Sequence, residues 1–398
     1  MKKIFSNIGI AAVAVLGLCA CSKDDDGGEN SDATPVIRYV RPTAAEAADS
    51  LLVKGFMGST VAIIGENLAG VCEVWFNDRR ATTLNPNMIT GSAVIVAIPS
   101  EMYEEQNDLI RVVTRKGKEA THPFVTMPPA PLPQSISSEY ARAGDEVTIT
   151  GKSFYGAMEN VQVFFPGNVE AEVLSVDPAK IVAKVPAAAA NSKGQLTVKT
   201  PYGSTRSTFI YRDDRGIFID AEDDGASWNN WNLSGFGADN GCSGKYVHLA
   251  GTTGSWAWPN NSIQLFYVNP TQQPLVAAGN ITDYALRFEV RAAAWHDTPL
   301  LMWFEEAGNA HDVDSKWPQF HWKPYLVNDA KTNFTTNGKW ITVTVPLTDF
   351  NTNKDETKGS LIKSLTELVN FSMMWFGAAD GENPLDIDFD NFRLVELK

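Results

Sequence analysis

Gly58-Ser-Thr-Val-Ala-Ile-Ile-Gly65-Glu-Asn-Leu-Ala-Gly70 recurs as Gly144-Asp-Glu-Val-Thr-Ile-Thr-Gly151-Lys-Ser-Phe-Tyr-Gly156, with an offset of 86 residues at all three glycines. The correspondence runs on: Val74-Trp75-Phe76 answers to Val163-Phe164-Phe165, Ile95 to Pro99 answers to Ile181 to Pro186, and Gly117 answers to Gly203. A fixed internal offset marks a duplicated structural unit. Within each copy, short runs alternate apolar and polar residues between Gly, Pro and Asn turns, the pattern of a small β-sandwich. Between the copies Pro128-Pro129-Ala130-Pro131-Leu132-Pro133 predicts an extended, stiff connection.

Working outward, the chain has 398 residues, which leaves room for two or three domains. Hydrophobic residues at 44% and charged ones at 20% are enough for real cores and exclude global disorder. The formal net charge of −14 opposes nucleic acid and anionic membrane surfaces as partners.

Met1-Lys2-Lys3 followed by the apolar run Ile8 to Ala20 reads as an export signal, being too short to span a bilayer. It ends Leu18-Cys19-Ala20-Cys21, which resembles a bacterial lipobox and makes Cys21 the lipidation site. The acidic stretch that follows, Ser22 to Asn30, has nothing to nucleate a core, and Ser22 to Ala33 predicts a solvated tether of about 20 Å. After processing, Cys72 and Cys242 remain in separate predicted domains, so no disulfide framework is expected. The expected organisation is a signal peptide (1–20), a tether (21–33), two immunoglobulin-like sandwiches (34–127 and 128–213) and a larger sandwich (214–398), an all-β protein.

Composition changes in that last segment. Of 11 tryptophans only Trp75 precedes it. Alternation in Tyr284 to Arg291 sets Leu286, Phe288 and Val290 inward, and in Lys339 to Val345 it sets Ile341, Val343 and Val345 inward. The same rule turns Trp303 and Glu305 outward from Leu300, Met302 and Phe304. Ser360 to Val369 is one of few helical candidates. About 185 residues of this kind suit a jelly-roll-like sandwich.

Flat indoles beside Asn, Gln and His suit sugars, because a pyranose offers an apolar C–H face and hydroxyls that need in-plane hydrogen-bond partners. Trp228, Trp231, Trp256 and Trp258 lie in Gly- and Asn-rich sequence that predicts loops, where large rings are hard to bury. Trp303, Trp317, His321 and Trp322 form a second candidate group. Trp340 and Trp375 read as packing residues.

The repeated hairpin, the "VxF" strand and the "IxVxxP" strand resemble the IPT/TIG immunoglobulin-like family over residues 34–213. The phrases Gly338 to Phe350 and Asp386 to Val395 resemble the closing part of the carbohydrate-binding domain of Bacteroidetes surface glycan-binding proteins of type B, which bind xyloglucan and β-glucan. The resemblance implies non-catalytic capture of a plant β-glycan at the outer membrane by a lipid-anchored, surface-exposed protein. It also implies a TonB-dependent transporter and its companion binding lipoprotein as partners, with no nucleic acid and with the membrane met only through the anchor.

Two other readings carry specific residues. Asp386, Asp388 and Asp390 alternate on one strand face, superficially like a glycosidase. The acid and nucleophile of such enzymes sit mid-domain, however, and here the triplet is close to the C-terminus, so no enzyme is expected. Asp220, Glu222 and Asp390 are instead a candidate Ca²⁺ site across a sheet edge. A surface glycoside hydrolase and a protein-binding adhesin stand as the alternatives.

Overall fold

The computed structural model describes residues 33–47, 49–222, 228–231, 235–237, 241–256, 264–308 and 317–397. The export signal, Cys21 and most of the tether lie outside them. The chain divides into two compact units, Met1–Met127 and Pro128–Lys398, and the break falls at the start of the proline-rich stretch.

In the first unit, Val36–Pro42, Thr60–Glu66 and Ala93–Ala97 form one antiparallel sheet. Arg79–Arg80, Val71–Phe76, Leu109–Thr114 and Glu119–Pro123 form another. The alternating β-branched residues Val61, Ile63, Val94, Val96, Val74, Ile110 and Val112 meet between them as the core. A parallel pair, Lys54–Phe56 with Val125–Met127, closes the unit.

The second unit begins with the other copy of the duplicated module. Leu132–Ile136, Glu146–Lys152, Lys180–Lys184 and Glu172–Asp177 make one sheet, and Val169–Glu170, Gln162–Phe165, Thr197–Thr200 and Gly203–Arg206 the other. The duplication has a clear physical signature. A Cβ on Gly65 would collide with the carbonyl oxygen of Val36, and one on Gly151 would collide with that of Leu132. In each copy a β-bulge lies beside the contact, between Ile37 and Tyr39 and between Pro133 and Ser135.

The remainder is a larger sandwich. One sheet runs in the order Gly235–Gly237, Tyr246–Thr253, Asn383–Glu396, Tyr284–Ala294, Ile341–Pro346, and Ile217–Ile219 also pairs with Asn383–Glu396. The other runs Trp228–Trp231, Gln264–Tyr267, Asn370–Trp375, Leu300–Glu305, Gln319–Trp322. Leu286, Phe288, Val290, Leu300, Met302, Phe304, Phe371, Met373 and Phe389 are among the residues that fill the space between them. The helix expected near Ser360–Val369 is only a single 3₁₀ turn, Leu365–Glu367, capped by the Ser364 side chain, which accepts from the Thr366 N–H.

Part of the outward side of the first sheet is covered by the duplicated module. Glu139 of the duplicated module accepts from Arg287 Nη1 at 2.6 Å and from Arg393 Nη2 at 2.7 Å, and Arg393 Nη2 also donates to Glu289 Oε1 at 2.8 Å. Thr342 Oγ1 accepts from the Glu139 N–H and donates to Glu289 Oε2. Arg393 and Glu289 have no solvent-exposed surface. Burial opposes the Arg393 charge, but Glu289 and Glu139 more than offset it and raise its pKa. Burial likewise raises the Glu139 pKa, against the pull of Arg393 and Arg287. The outward charges of the alternating strands thus fasten the two modules of this unit together.

Candidate functional site

Directly opposed residues of an antiparallel pair share a sheet face. In the five-stranded sheet, Leu300, Met302 and Phe304 point to the core and stand opposite Trp375, Met373 and Phe371. Leu301 and Trp303 therefore share the other face with Met374, Ser372, His321 and Gln319.

That outer face carries an apolar cluster of its own, formed by Phe266, Leu301, Trp303, Trp317, Met374 and Phe376. The cluster corrects two expectations. Trp303 lies on the predicted side of its strand yet is 0% exposed, with its Nε1 donating to Glu305 Oε1 at 2.6 Å. Trp317 is also buried. Alternation assigns a face, but it does not report whether that face is covered. Trp322 is a third correction. It packs against the core with its ring edge-on to Phe288 at 5.3 Å and to Trp295 at 5.2 Å. Trp340 and Trp375 are buried, as packing residues should be.

His321 keeps its place on the outer face, opposite Leu301. Its side chain is 5% exposed, and Glu356 Oε1 is 3.7 Å from Nδ1. Neither ring nitrogen has a hydrogen-bond partner. Burial lowers its pKa, with Glu356 pulling the other way. Glu356 is also ion-paired with Lys323.

Trp256 is the one exposed tryptophan among the residues whose side chains are described, at 52%. Its backbone sits at φ +52°, a region that bulky residues rarely enter. Its N–H donates to the Gly377 carbonyl at 2.8 Å, and its ring stands edge-on to Phe376 at 5.5 Å. Lys354 Nζ lies 4.6 Å from the centre of the Phe376 ring. Strain of this kind persists where the surroundings over-determine it, and it clusters at ligand-holding sites. Phe376 and Lys354 were not singled out from sequence. The aromatic run Trp375-Phe376 was visible, but nothing in it shows which ring leaves the core.

The other early candidates fall differently. The segment Trp228–Trp231, expected as a loop, is an edge strand, with Trp231 in register with Gln264 and Trp228 with Tyr267. Trp258 lies outside the described residues. The proposed Ca²⁺ ligands do not assemble. Asp390 is buried, and its carboxylate accepts from the N–H groups of Cys242 at 3.0 Å and Asn391 at 2.8 Å. The exposed Asp220 accepts from the Glu222 N–H, and Glu222 accepts from the Lys245 N–H. Among the described residues no three His, Cys, Asp or Glu side chains could share a metal ion. Asp388 is held between His248 Nδ1 at 2.7 Å and Arg291 Nε at 2.8 Å, which gives it a structural role.

What remains open is the Trp256 ring, at the end of a buried row of Phe376, Met374, Leu301 and His321, with Lys354 set against Phe376. An exposed indole face with fixed polar groups beside it can hold a ring that is apolar on one side and hydroxylated at its rim.

The family model described as surface glycan-binding protein B xyloglucan binding domain matches residues 211–396. That stretch is therefore similar to the xyloglucan-binding domain of surface glycan-binding protein B. The IPT/TIG domain model matches residues 131–211. The fold resembles the surface glycan-binding protein PbSGBP-B from Prevotella bryantii at 26% identity and a TM-score of 0.70, over 92% of this chain and 99% of that one. It is also similar, at 18% identity and a TM-score of 0.46, to SGBP-B from a complex xyloglucan utilization locus in Bacteroides uniformis, over 92% of this chain and 100% of that one. An IPT/TIG domain-containing protein of Bacteroides ovatus is 33% identical over 154 residues, which are 37% of this chain and 30% of that relative. The chain thus spans under a third of the curated relative it matches.

Proposed function

We propose that this protein captures a neutral β-glucan, xyloglucan or mixed-linkage glucan, at the cell surface without cleaving it, and that Trp256 supplies the stacking surface. The observation that carries this reading is the exposed, conformationally strained indole of Trp256, inside a region matched by a xyloglucan-binding family model. The structural relative with the higher TM-score of the two above is itself named a surface glycan-binding protein. The two smaller sandwiches act as spacers and the larger one as the reader, anchored through acylated Cys21 in the outer membrane. A TonB-dependent transporter and its binding lipoprotein receive the captured chain.

Stacking one ring on an aromatic side chain is worth about 1–3 kcal/mol, by analogy with nucleobases. Trp256→Ala should therefore weaken calorimetric binding of xyloglucan oligosaccharides by roughly 5- to 150-fold. Unchanged affinity would sink the platform assignment. New reducing ends on incubation with β-glucan would move the protein to the glycoside hydrolases.

A further inference from the structure

The same end of the large sandwich holds a polar cleft of about 210 Å³, bordered by His296, Asp297, Lys331, Asn333, Asp380 and Glu382. It shares a loop with the stacking site: Gly377, which accepts from the Trp256 N–H, is three residues from Asp380. Resting on the Trp256 reading above, we propose that this cleft receives a single-sugar branch of a substituted β-glucan whose backbone lies against Trp256.

The size fits one ring. Pockets that enclose drug-sized ligands run to about 300–1,000 Å³, and this cleft is smaller. The lining fits hydroxyls. Lys331 and the Asn333 amide donate, Asp380 and Glu382 accept, and His296 can do either according to its tautomer. Three carboxylates against one lysine disfavour a uronic acid, so the branch is neutral. No aromatic ring lines the cleft, so it reads the rim of a sugar and leaves the face to Trp256.

The cleft is also held in shape before any ligand arrives. Asp297 is buried, and its Oδ2 accepts from Lys331 Nζ at 2.8 Å and from the Asp380 N–H at 2.8 Å, which ties the loop after Ala294 to the loop after Trp375. Its Oδ1 accepts from the Thr298 N–H at 2.9 Å. Lys331 Nζ reaches on to Asp380 Oδ2 at 2.6 Å. Behind it Trp295 Nε1 donates to the Asp297 and Thr298 carbonyls, both at 2.9 Å, and Asn383 Nδ2 donates to Thr298 Oγ1 at 2.9 Å. Thr298 is at φ +67°, a rare state for a β-branched residue, and its hydroxyl accepts from Thr253 Oγ1, on the strand leading to Trp256. Ordering that is complete before binding does not subtract from affinity.

The test is calorimetric titration of the full chain with a xylogluco-oligosaccharide and with a cello-oligosaccharide of the same backbone length. The wild type should prefer the branched ligand about tenfold, which is about 1.4 kcal/mol. Asp380→Ala combined with Glu382→Ala should remove that preference and leave cello-oligosaccharide binding unchanged. Both side chains are exposed, and Glu382→Gln alone, which should reduce the preference in part, guards against misfolding. Equal affinity of the wild type for both ligands overturns the cleft while leaving the Trp256 platform standing. A preference that survives both variants overturns it too, as does a preference that depends on added Ca²⁺. Binding of neither oligosaccharide overturns the platform and the cleft together.

Discussion

The residues five and four positions before Gly58 are Val53 and Lys54, and those before Gly144 are Glu139 and Tyr140. In the first copy Val53 is 72% exposed, and Lys54 opens the short strand paired with Val125–Met127. In the second copy Glu139 is 2% exposed and ion-paired to Arg393 and Arg287. Tyr140 donates to the Asp213 carbonyl at 2.9 Å and lies against the Arg393 guanidinium at 5.3 Å. Two equivalent positions on one scaffold therefore separate an exposed, strand-paired segment from a buried contact with the larger sandwich. A duplicated module can be recruited as a spacer or as a mount by changing the loop alone, with its sheets and core left as they are.

The sharpest break in the comparison comes from truncating both sites. Glu139→Ala leaves Arg287 and Arg393 buried with one carboxylate fewer, and removing one partner of a buried pair costs about 3–5 kcal/mol. Val53→Ala changes an exposed side chain and should stay within about 0.5 kcal/mol. Chemical denaturation of the two variants tests this. Equal midpoints would mean that the Glu139 network holds nothing together.

A second pair of substitutions probes what the copies share. Gly65→Ala and Gly151→Ala both push a methyl group into a backbone carbonyl across a bulge, so each should destabilise by about 1–3 kcal/mol or more. The prediction is parity. A loss confined to one copy would show that the bulges beside Gly65 and Gly151 are not the same structural device.

The duplication was legible in sequence because each element satisfies its own rule: β-branched residues at period two, with glycine where two backbones touch. Leu286, Phe288 and Val290 were placed in the core for the same reason. The errors share one physical origin. Alternation correctly set Trp303, Arg287 and Glu289 on outer faces, but what covers an outer face belongs to residues distant in sequence. Trp303 lies in a cluster with Trp317 and Phe266, and Arg287 lies against Glu139 from another module. Local context also misjudged Trp228–Trp231, since Asn and Gly neighbours weaken a strand without preventing an edge pairing. Trp256 is exposed, as its Gly- and Asn-rich context implies.

The smallest effect concerns pH and separates the units once more. Among its described residues the first unit buries no carboxylate, whereas the second buries Asp390 beside Glu289. Burial pushes the Asp390 carboxyl up to about 8, with Glu289 adding to the rise and the N–H groups of Asn391, Cys242 and Ser243 opposing it. An acid whose folded pKa lies above its unfolded value gives its full stability below the unfolded value, near 3.8, and loses it as pH rises through about 8. Between pH 7 and 9 this one group should cost the second unit about 1 kcal/mol, levelling off above that range. Scanning calorimetry of the whole chain should show one transition moving down across that window while the other holds. Asp390→Asn should remove the slope whatever it does to the baseline. A slope that survives this substitution would assign the alkaline sensitivity to another group and leave the buried junction without its titrating member.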